Sequence, residues 1–342
     1  MKKFLFLTFL FFAFSILGED YFIYKTKEND NLISLGKIYL ENPSQWRELL
    51  KHNPWIKNPN FILPNQEIKI PYPLLKKNLY SAKIEKISGD VKVKKEAKDW
   101  QKAEEGMLLV QKDKLKTEKN SQAVLNIPEE NKVLVEPETE ITINELWENP
   151  FNKARQTNLG IIKGKIQAVI KKIFGGSKFS VKTPSAVSLI RGTEFRAKTK
   201  DDASFLEVWE GKVREENDLG FVDVPENYGV RVLKDEIPME PKLLPPPPKL
   251  FPEDGVVIGS SKGAFLLWEK LDIAKSYKIQ ISKDPNFFNI VYENETMDDN
   301  ITVPYISPGF YFWRVISIDD IGLESKGGNV KGLLFPEKIY EN

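Results

Sequence analysis

Residues 183–199 read "TPSAVSLIRGTEFRAKT", and the stretches on both sides alternate apolar and polar residues. Turn-forming glycines separate the alternating runs, at Ser88-Gly89-Asp90, Gly175-Gly176 and Glu210-Gly211. Period-two alternation with turn signals every 8–12 residues is typical of an all-β sandwich or barrel-like stack. The sequence therefore predicts an all-β domain over residues 80–237, with about ten short strands.

The quoted stretch carries a set of residues that resembles the FecR domain. Thr183, Pro184, Ala186, Arg191, Gly192, Thr193 and Phe195 stand where that family has its Thr-Pro-x-Ala-x-x-x-x-Arg-Gly-Thr-x-Phe pattern. A strand ending in the Glu210-Gly211 turn follows, as in the family. FecR proteins proper are transmembrane signal carriers with a cytoplasmic N-terminal domain, and no such domain precedes this stretch. We expect Arg191 to brace carbonyls or a carboxylate of the fold; contact with a partner protein is the alternative.

The N-terminal residues look like an export signal. Lys2 and Lys3 precede an apolar run from Phe4 to Leu17, and Gly18 follows. The run is short of the roughly 20 residues that a membrane-spanning helix needs. We therefore predict a signal peptide over residues 1–18 and an exported protein, periplasmic or associated with the cell wall. A retained signal anchor is the alternative.

The segment 20–75 predicts the order strand, helix, helix, strand. Asp30 or Asn31 can cap a first helix, Pro43 begins a second, and Asn53-Pro54 ends it. In "NFILPNQEIKIP" (60–71), Ile68 and Ile70 alternate with charged residues and predict a closing strand with one buried face.

This order and these residues resemble the LysM domain, a small βααβ module that binds N-acetylglucosamine polymers. "ILPNQEIKIP" follows the family's Ile-x-Pro-Gly-Gln-x-Leu-x-Ile-Pro, with Asn29 and Asn65 in place of glycines. Asparagine tolerates positive φ better than other non-glycine residues, so we expect both turns to persist. The resemblance implies a glycan-binding groove between two loops, formed by Asn29, Asp30, Asn31, Leu32, Asn60, Phe61, Ile62 and Leu63. Leu32, Ile62 and Leu63 could equally be core residues.

The C-terminal residues 251–342 resemble a fibronectin type III-like β-sandwich. "PGFYFWRVISIDDIG" (308–322) matches a strand and turn of that family, and "SYKIQIS" (276–282) alternates with Tyr277, Ile279 and Ile281 on one face. We expect Trp268 and Trp313 in the sandwich core rather than as an exposed sugar-binding platform. Residues 238–250 hold four consecutive prolines, which favour an extended polyproline form and predict a semi-rigid linker.

Composition narrows the functions that the chain can have. It contains 342 residues, with 50 basic and 49 acidic side chains, so no global basic field points to nucleic acid. It has no cysteine, which excludes disulfides and thiolate metal sites, and its single histidine is His52. The sequence predicts no catalytic residues, no metal site and no cofactor.

We therefore predict a multidomain, non-enzymatic cell-envelope protein. In this interpretation it binds peptidoglycan, or another N-acetylglucosamine polymer, through residues 20–75 and acts as a scaffold through its β domains. The alternative is a FecR-like envelope signalling or regulatory component whose β domain contacts an unknown envelope protein.

Overall fold

The computed structural model describes residues 21–171, 173 and 175–337. The predicted signal peptide, residues 1–18, lies outside the described residues. The chain divides into two compact units, Met1–Asn78 and Leu79–Asn342. Strands account for 50% of the residues and helices for 7%, so the prediction of a mostly β protein is confirmed.

The N-terminal unit contains its elements in the predicted order. They are β1 (Tyr21–Lys25), α1 (Leu32–Tyr39), a 3₁₀ turn (Pro43–Arg47), α2 (Glu48–His52), β2 (Glu67–Pro71) and a second 3₁₀ turn (Tyr72–Leu74). Strands β1 and β2 pair antiparallel. Ile68 and Ile70 are buried whereas Glu67 and Lys69 are exposed, which is the alternation that the sequence predicts.

Polar residues fix the turns of this unit. Asn31 caps α1, because its Oδ1 accepts a hydrogen bond from the backbone N–H of Ser34 at 2.9 Å. Asn29 and Asn65 adopt φ values of 68° and 66°, as expected for asparagines that replace glycine. Asn53 is fully buried and bonds the backbone of Leu49 and of Lys69, which joins α2 to β2.

The second unit begins with many short strands. A two-residue strand, β3 (Asn78–Leu79), lies at the boundary of the units. It is followed by β4 (Ala82–Ser88), β5 (Val91–Lys94), β6 (Trp100–Lys102), β7 (Leu108–Leu109), β8 (Lys114–Thr117), β9 (Gln122–Ile127), β10 (Asn131–Val135), β11 (Glu140–Glu148), β12 (Arg155–Val169), β13 (Lys178–Lys182), β14 (Val187–Ile190), β15 (Glu194–Lys200), β16 (Ala203–Glu210), β17 (Lys212–Asn217), β18 (Gly220–Pro225), β19 (Tyr228–Leu233) and β20 (Lys242–Leu243). These strands exceed the predicted ten, since turns at positive-φ residues such as Asn120 and Asn227 divide the expected runs further.

The long strand β12 joins two sheets of this region. Its first half pairs with β11 and in parallel with β13, and its second half pairs with β10 and β15. The apolar side chains of both sheets meet in one buried core that includes Ile166, Val181 and Phe195. We refer to residues 79–237 as the FecR-like region.

The C-terminal strands form two sheets. They are β21 (Leu250–Phe251), β22 (Val256–Ile258), β23 (Ala264–Trp268), β24 (Ser276–Ser282), β25 (Ile290–Thr296), β26 (Asn300–Val303), β27 (Gly309–Ile318) and β28 (Lys331–Phe335). Strands β21, β23 and β26 form one sheet, and the other has the order β22-β28-β27-β24-β25. Tyr277, Ile279 and Ile281 share the core between the sheets with Trp268 and Trp313, both buried, so neither tryptophan is an exposed platform. The predicted β-sandwich is confirmed as an architecture.

The proline-rich segment does not hold the sandwich away from the FecR-like region, contrary to the spacer interpretation. Leu244, Pro245 and Pro248 are buried, and Pro246 accepts a hydrogen bond from Ser317 Oγ at 2.5 Å. Leu244 also belongs to a cluster with Phe205, Trp209 and Leu323. A polyproline stretch has an unpaired backbone and apolar sides, so it can line an interface as well as span a gap. The domain boundaries at 20, 75, 80, 237 and 250 stay predictions.

Candidate functional sites

The two loops of the predicted glycan groove lie side by side in the N-terminal unit. Leu32 N–H donates to the carbonyl of Pro59 at 2.9 Å, and Thr26 Oγ1 donates to the carbonyl of Leu63 at 2.7 Å. These bonds join the segment 26–32 to the segment 59–63, so the two predicted loops are neighbours. No finding tests a glycan role for these residues.

The predicted groove residues have different structural roles. Leu32 and Ile62 are 0% and 3% exposed and belong to the core, whereas Phe61 and Leu63 are 66% and 54% exposed. Asp30 Oδ2 accepts hydrogen bonds from Tyr24 Oη at 2.8 Å and from Lys27 N–H at 2.7 Å.

The remaining polar residues of the predicted groove are divided between structural use and exposure. The Asn31 side chain is occupied as the helix cap. Asn29 and Asn60 are exposed. The exposed members of the set are therefore Asn29, Asn60, Phe61 and Leu63.

The residues of the 183–199 stretch shape the fold of the FecR-like region. Thr183 Oγ1 donates to the Ala186 carbonyl at 2.9 Å and also accepts from Ser204 Oγ at 2.6 Å, which closes the turn before β14. Gly192 has a φ of 93°, a left-handed conformation that favours glycine. Phe195 is fully buried in the core.

The bracing role expected of Arg191 is wrong. Its side chain is exposed, and within the described part of the chain it has no hydrogen-bond or ion-pair partner. The buried arginine of this stretch is Arg196, on β15. The alternative, a contact of Arg191 with a partner protein, stays a prediction.

Arg196 lies at the centre of an ion cluster between the FecR-like region and the sandwich. Its Nε lies 2.5 Å from Glu207 Oε2, and its Nη1 lies 2.7 Å from Glu324 Oε2. Its Nη2 donates to the Ser325 carbonyl at 3.0 Å. Glu207 Oε1 accepts the backbone N–H of Glu324 at 2.7 Å, so two strands of the FecR-like region hold the 319–325 loop of the sandwich. We call this set, with Lys165, Lys198, Lys278 and Glu136, the interface cluster.

Glu324 is the carboxylate that most of these cations share. Lys198 Nζ and Lys278 Nζ lie 3.1 Å and 2.8 Å from its Oε1. Lys165 Nζ lies 3.9 Å from Oε2 and pairs more closely with Glu136, at 2.8 Å. Burial alone would raise the pKa of Glu324, but the four neighbouring cations hold its pKa well below the ordinary value. Glu324 is therefore ionised, and its carboxylate is held in place by ion pairs with Arg196, Lys198 and Lys278.

Comparison with known proteins identifies a family for the middle of the chain. Residues 113–214 match the model of the FecR protein family, so this stretch is a FecR-family domain. No curated protein matches the chain.

Solved structures show only loose similarity. A candidate anti-sigma factor from Parabacteroides distasonis shares 16% identity over 38% of this chain and 59% of its own length, with a TM-score of 0.33. The extracellular domain of a candidate hybrid two-component system from B. thetaiotaomicron shares 8% identity over 63% of this chain and 42% of its own, with a TM-score of 0.21. The FN1–FN3 domains of chicken CNTN1 share 10% identity over 77% of this chain and 100% of theirs, with a TM-score of 0.23. The chain thus spans about three fifths of the length of the first of these structures.

The described residues contain no helix that is long and apolar enough to cross a bilayer.

Proposed function

We propose that the chain is a signalling or regulatory component of the cell envelope, in which the FecR-like region and the sandwich form one body that contacts a partner protein. The FecR-family match at residues 113–214 supports the regulatory class. The interface cluster supports a single body, because Arg196, Glu207 and Glu324 are each less than 5% exposed at the side chain. Separating a buried ion pair leaves an uncompensated charge, so these pairs favour the orientation in which all partners meet.

The exposed Arg191 supports a contact between this body and a separate partner protein. It stands at the bend between β14 and β15 without a partner among the described residues. Arginine is enriched in protein interfaces, because its planar group forms several hydrogen bonds and stacks on aromatic rings. This favours the partner contact over the structural role.

Transcript profiling in the source organism tests the regulatory role. Strains would express the wild-type chain, a chain without residues 79–342, or the Arg191→Ala variant. We expect the deletion and Arg191→Ala to change the same small set of transcripts. A matched Lys119→Ala variant, which removes an exposed cation elsewhere in the FecR-like region, should leave them unchanged. Identical transcripts in all strains would contradict a regulatory role and favour a scaffold.

We further propose that the N-terminal unit binds an N-acetylglucosamine-containing glycan such as peptidoglycan. The exposed Phe61 and Leu63, held beside the loop that carries Asn29, support this second candidate. Calorimetry with chitin and muropeptide oligomers would test it, with Phe61→Ala expected to weaken binding and Ile38→Ala, an exposed residue of α1, expected to leave it unchanged. Absence of any saturable signal at about 1 mM ligand, which corresponds to about −4 kcal/mol, would contradict it.

A further inference from the structure

A cavity of about 690 Å³ opens beside the interface cluster, between the FecR-like region and the sandwich. Sites for small ligands commonly have volumes of roughly 300–1,000 Å³. Phe205, Leu233, Ile318 and Ile321 supply apolar surface to the cavity, and charged residues supply most of the rest. The volume and the mixed lining of the cavity therefore suit a small ligand that is mostly polar and has one apolar part.

The wall from the FecR-like region is cationic. Lys198 is in register with Phe205 on the next strand, and Phe205 with Arg231 on the strand after that, so the three side chains share one face. Lys200 continues the same face of β15, two residues beyond Lys198. Within the described part of the chain, neither Arg231 nor Lys200 has a hydrogen-bond or ion-pair partner for its side chain.

The wall from the sandwich is acidic. Glu293 and Glu295 lie on β25, in register with Gln280 and Lys278. Glu293 Oε2 accepts from Gln280 Nε2 and Glu295 Oε1 accepts from Ser276 Oγ, both at 2.6 Å. Among the described residues, no cation forms an ion pair with either carboxylate. Arg231 and Lys200 on one wall and Glu293 and Glu295 on the other thus line one cavity without an ion pair between them. Lys198, in contrast, is already paired with Glu324 of the sandwich.

The other carboxylates of the lining are placed differently. Lys242 pairs with Asp319 at 2.8 Å and also with Asp320. Glu138 and Asp201 lie at positive-φ positions. Glu324 pairs with Lys198 and Lys278 in the interface cluster. None of these five carboxylates lies on the Glu293–Glu295 wall.

The interface cluster beside the cavity is close to charge balance. Its four cations, Lys165, Arg196, Lys198 and Lys278, face three carboxylates, Glu136, Glu207 and Glu324. Glu293 of the acidic wall also acts on Lys165 and Lys278 and supplies a fourth negative charge. The cations of the lining that a ligand carboxylate would meet are therefore Arg231 and Lys200, which stand outside the cluster.

We propose that the cavity binds a short peptide with free termini. Its carboxylate lies at Arg231 and Lys200, its ammonium lies at Glu293 and Glu295, and an apolar side chain packs on Phe205. The inference goes beyond the proposed function and does not depend on it, since the site lies inside the second unit and involves neither Arg191 nor the N-terminal loops.

Calorimetry of the full chain with alanyl-leucyl-alanine tests the site, because this probe has both terminal charges and one apolar side chain. We expect saturable binding of the free tripeptide, and binding at least tenfold weaker for its N-acetylated and its C-amidated forms. Arg231→Gln should weaken binding of the free tripeptide about tenfold, or about 1.4 kcal/mol, without weakening the C-amidated form further. Lys234→Gln, an exposed cation just beyond β19, is the matched control and should bind like wild type.

Three results would overturn the inference. They are no saturable heat for the free tripeptide at about 1 mM, equal binding of free and blocked peptides, and unchanged binding by a folded Arg231→Gln variant. Thermal unfolding of the variant confirms that it is folded. Because Arg231→Gln leaves Arg191 intact, failure here is distinguishable from failure of the regulatory proposal.

Discussion

Arg196 Nη1 lies 2.7 Å from Glu324 Oε2, although the two residues are 128 positions apart in the chain. Arg196 belongs to the FecR-like region and Glu324 to a loop of the sandwich, so this pair joins two parts that resemble different families. Both side chains are almost fully buried, at 1% and 4% exposure. The relative position of the two parts is therefore set by charge in a buried contact as well as by the apolar contacts of Phe205 and Leu323.

We expect Glu324→Gln to destabilise the second unit by on the order of 3 kcal/mol, because it leaves several buried cations without their shared carboxylate. Calorimetric unfolding of the full chain measures the loss. Glu96→Gln is the control, since it disrupts an exposed ion pair with Lys112 and should cost less than about 1 kcal/mol. Equal stability of Glu324→Gln and wild type would show that the cluster contributes nothing.

The buried carboxyl of Glu215 should make the free energy of unfolding depend on pH. Glu215 is buried, and among the described residues its side chain accepts one hydrogen bond, from Ser188 Oγ at 2.6 Å. Burial raises its pKa to about 7. In the unfolded chain the carboxyl loses its proton near its ordinary pKa of 4.5, so the folded state holds the proton to higher pH. The contribution of Glu215 is present in full below pH 4.5 and falls as pH rises to about 7, by on the order of 3 kcal/mol.

Glu215→Gln should remove this slope, since a neutral amide does not titrate. We expect the variant to be more stable than wild type at pH 8 and to differ less from it at pH 4.5. Denaturant unfolding at both pH values measures the difference. A wild-type stability that stays level between pH 4.5 and 7, after subtraction of the variant's own profile, would contradict the assignment.

A substitution at Gly211 tests how tightly the turn after β16 packs against Gly192. The φ of Gly211 is +83°, and a Cβ added there would lie 2.8 Å from the carbonyl oxygen of Gly192. We expect Gly211→Ala to destabilise by on the order of 2–3 kcal/mol, from backbone strain and this clash together. Gly106 has a similar φ of +88° but open space around it, so Gly106→Ala should cost only the backbone strain, about 1 kcal/mol. Equal losses in thermal unfolding would mean that the close approach to Gly192 is not limiting.

Variants of Asn31 and Phe61 distinguish a residue that stabilises the N-terminal unit from one that is proposed to bind glycan. Asn31→Ala removes the cap of α1 and should destabilise this unit by about 1 kcal/mol, whereas Asn31→Asp should preserve the cap. Phe61→Ala, at an exposed position, should leave stability unchanged. Thermal unfolding of the three variants checks this order, and a loss with Phe61→Ala that equals the loss with Asn31→Ala would place Phe61 in the core.

The sequence predicted what depends on local pattern. Alternation placed Ile68, Ile70 and Tyr277 on buried faces, and asparagine at positions 29 and 65 predicted left-handed turns. These features depend on side-chain direction and backbone preference, which neighbouring residues determine.

The interface could not be predicted in the same way. Arg196 alternates with apolar residues on β15, and a polar residue facing outward has the same pattern whether water or another domain covers it. Glu324 lies in a loop that periodicity does not describe. The prolines at 245–248 showed an extended segment, but composition does not tell whether its sides are packed. The exposure of Arg191 and the burial of Arg196 follow from tertiary contacts alone.

Photo-crosslinking in the native envelope tests the regulatory proposal most directly. A photoreactive residue would replace Arg191, and a second would replace Lys57, an exposed residue of the N-terminal unit, as the control. We predict that position 191 captures one protein reproducibly and that position 57 does not capture it. Capture of no protein at 191, or of the same mixture at both positions, would contradict a specific protein contact by the FecR-like region.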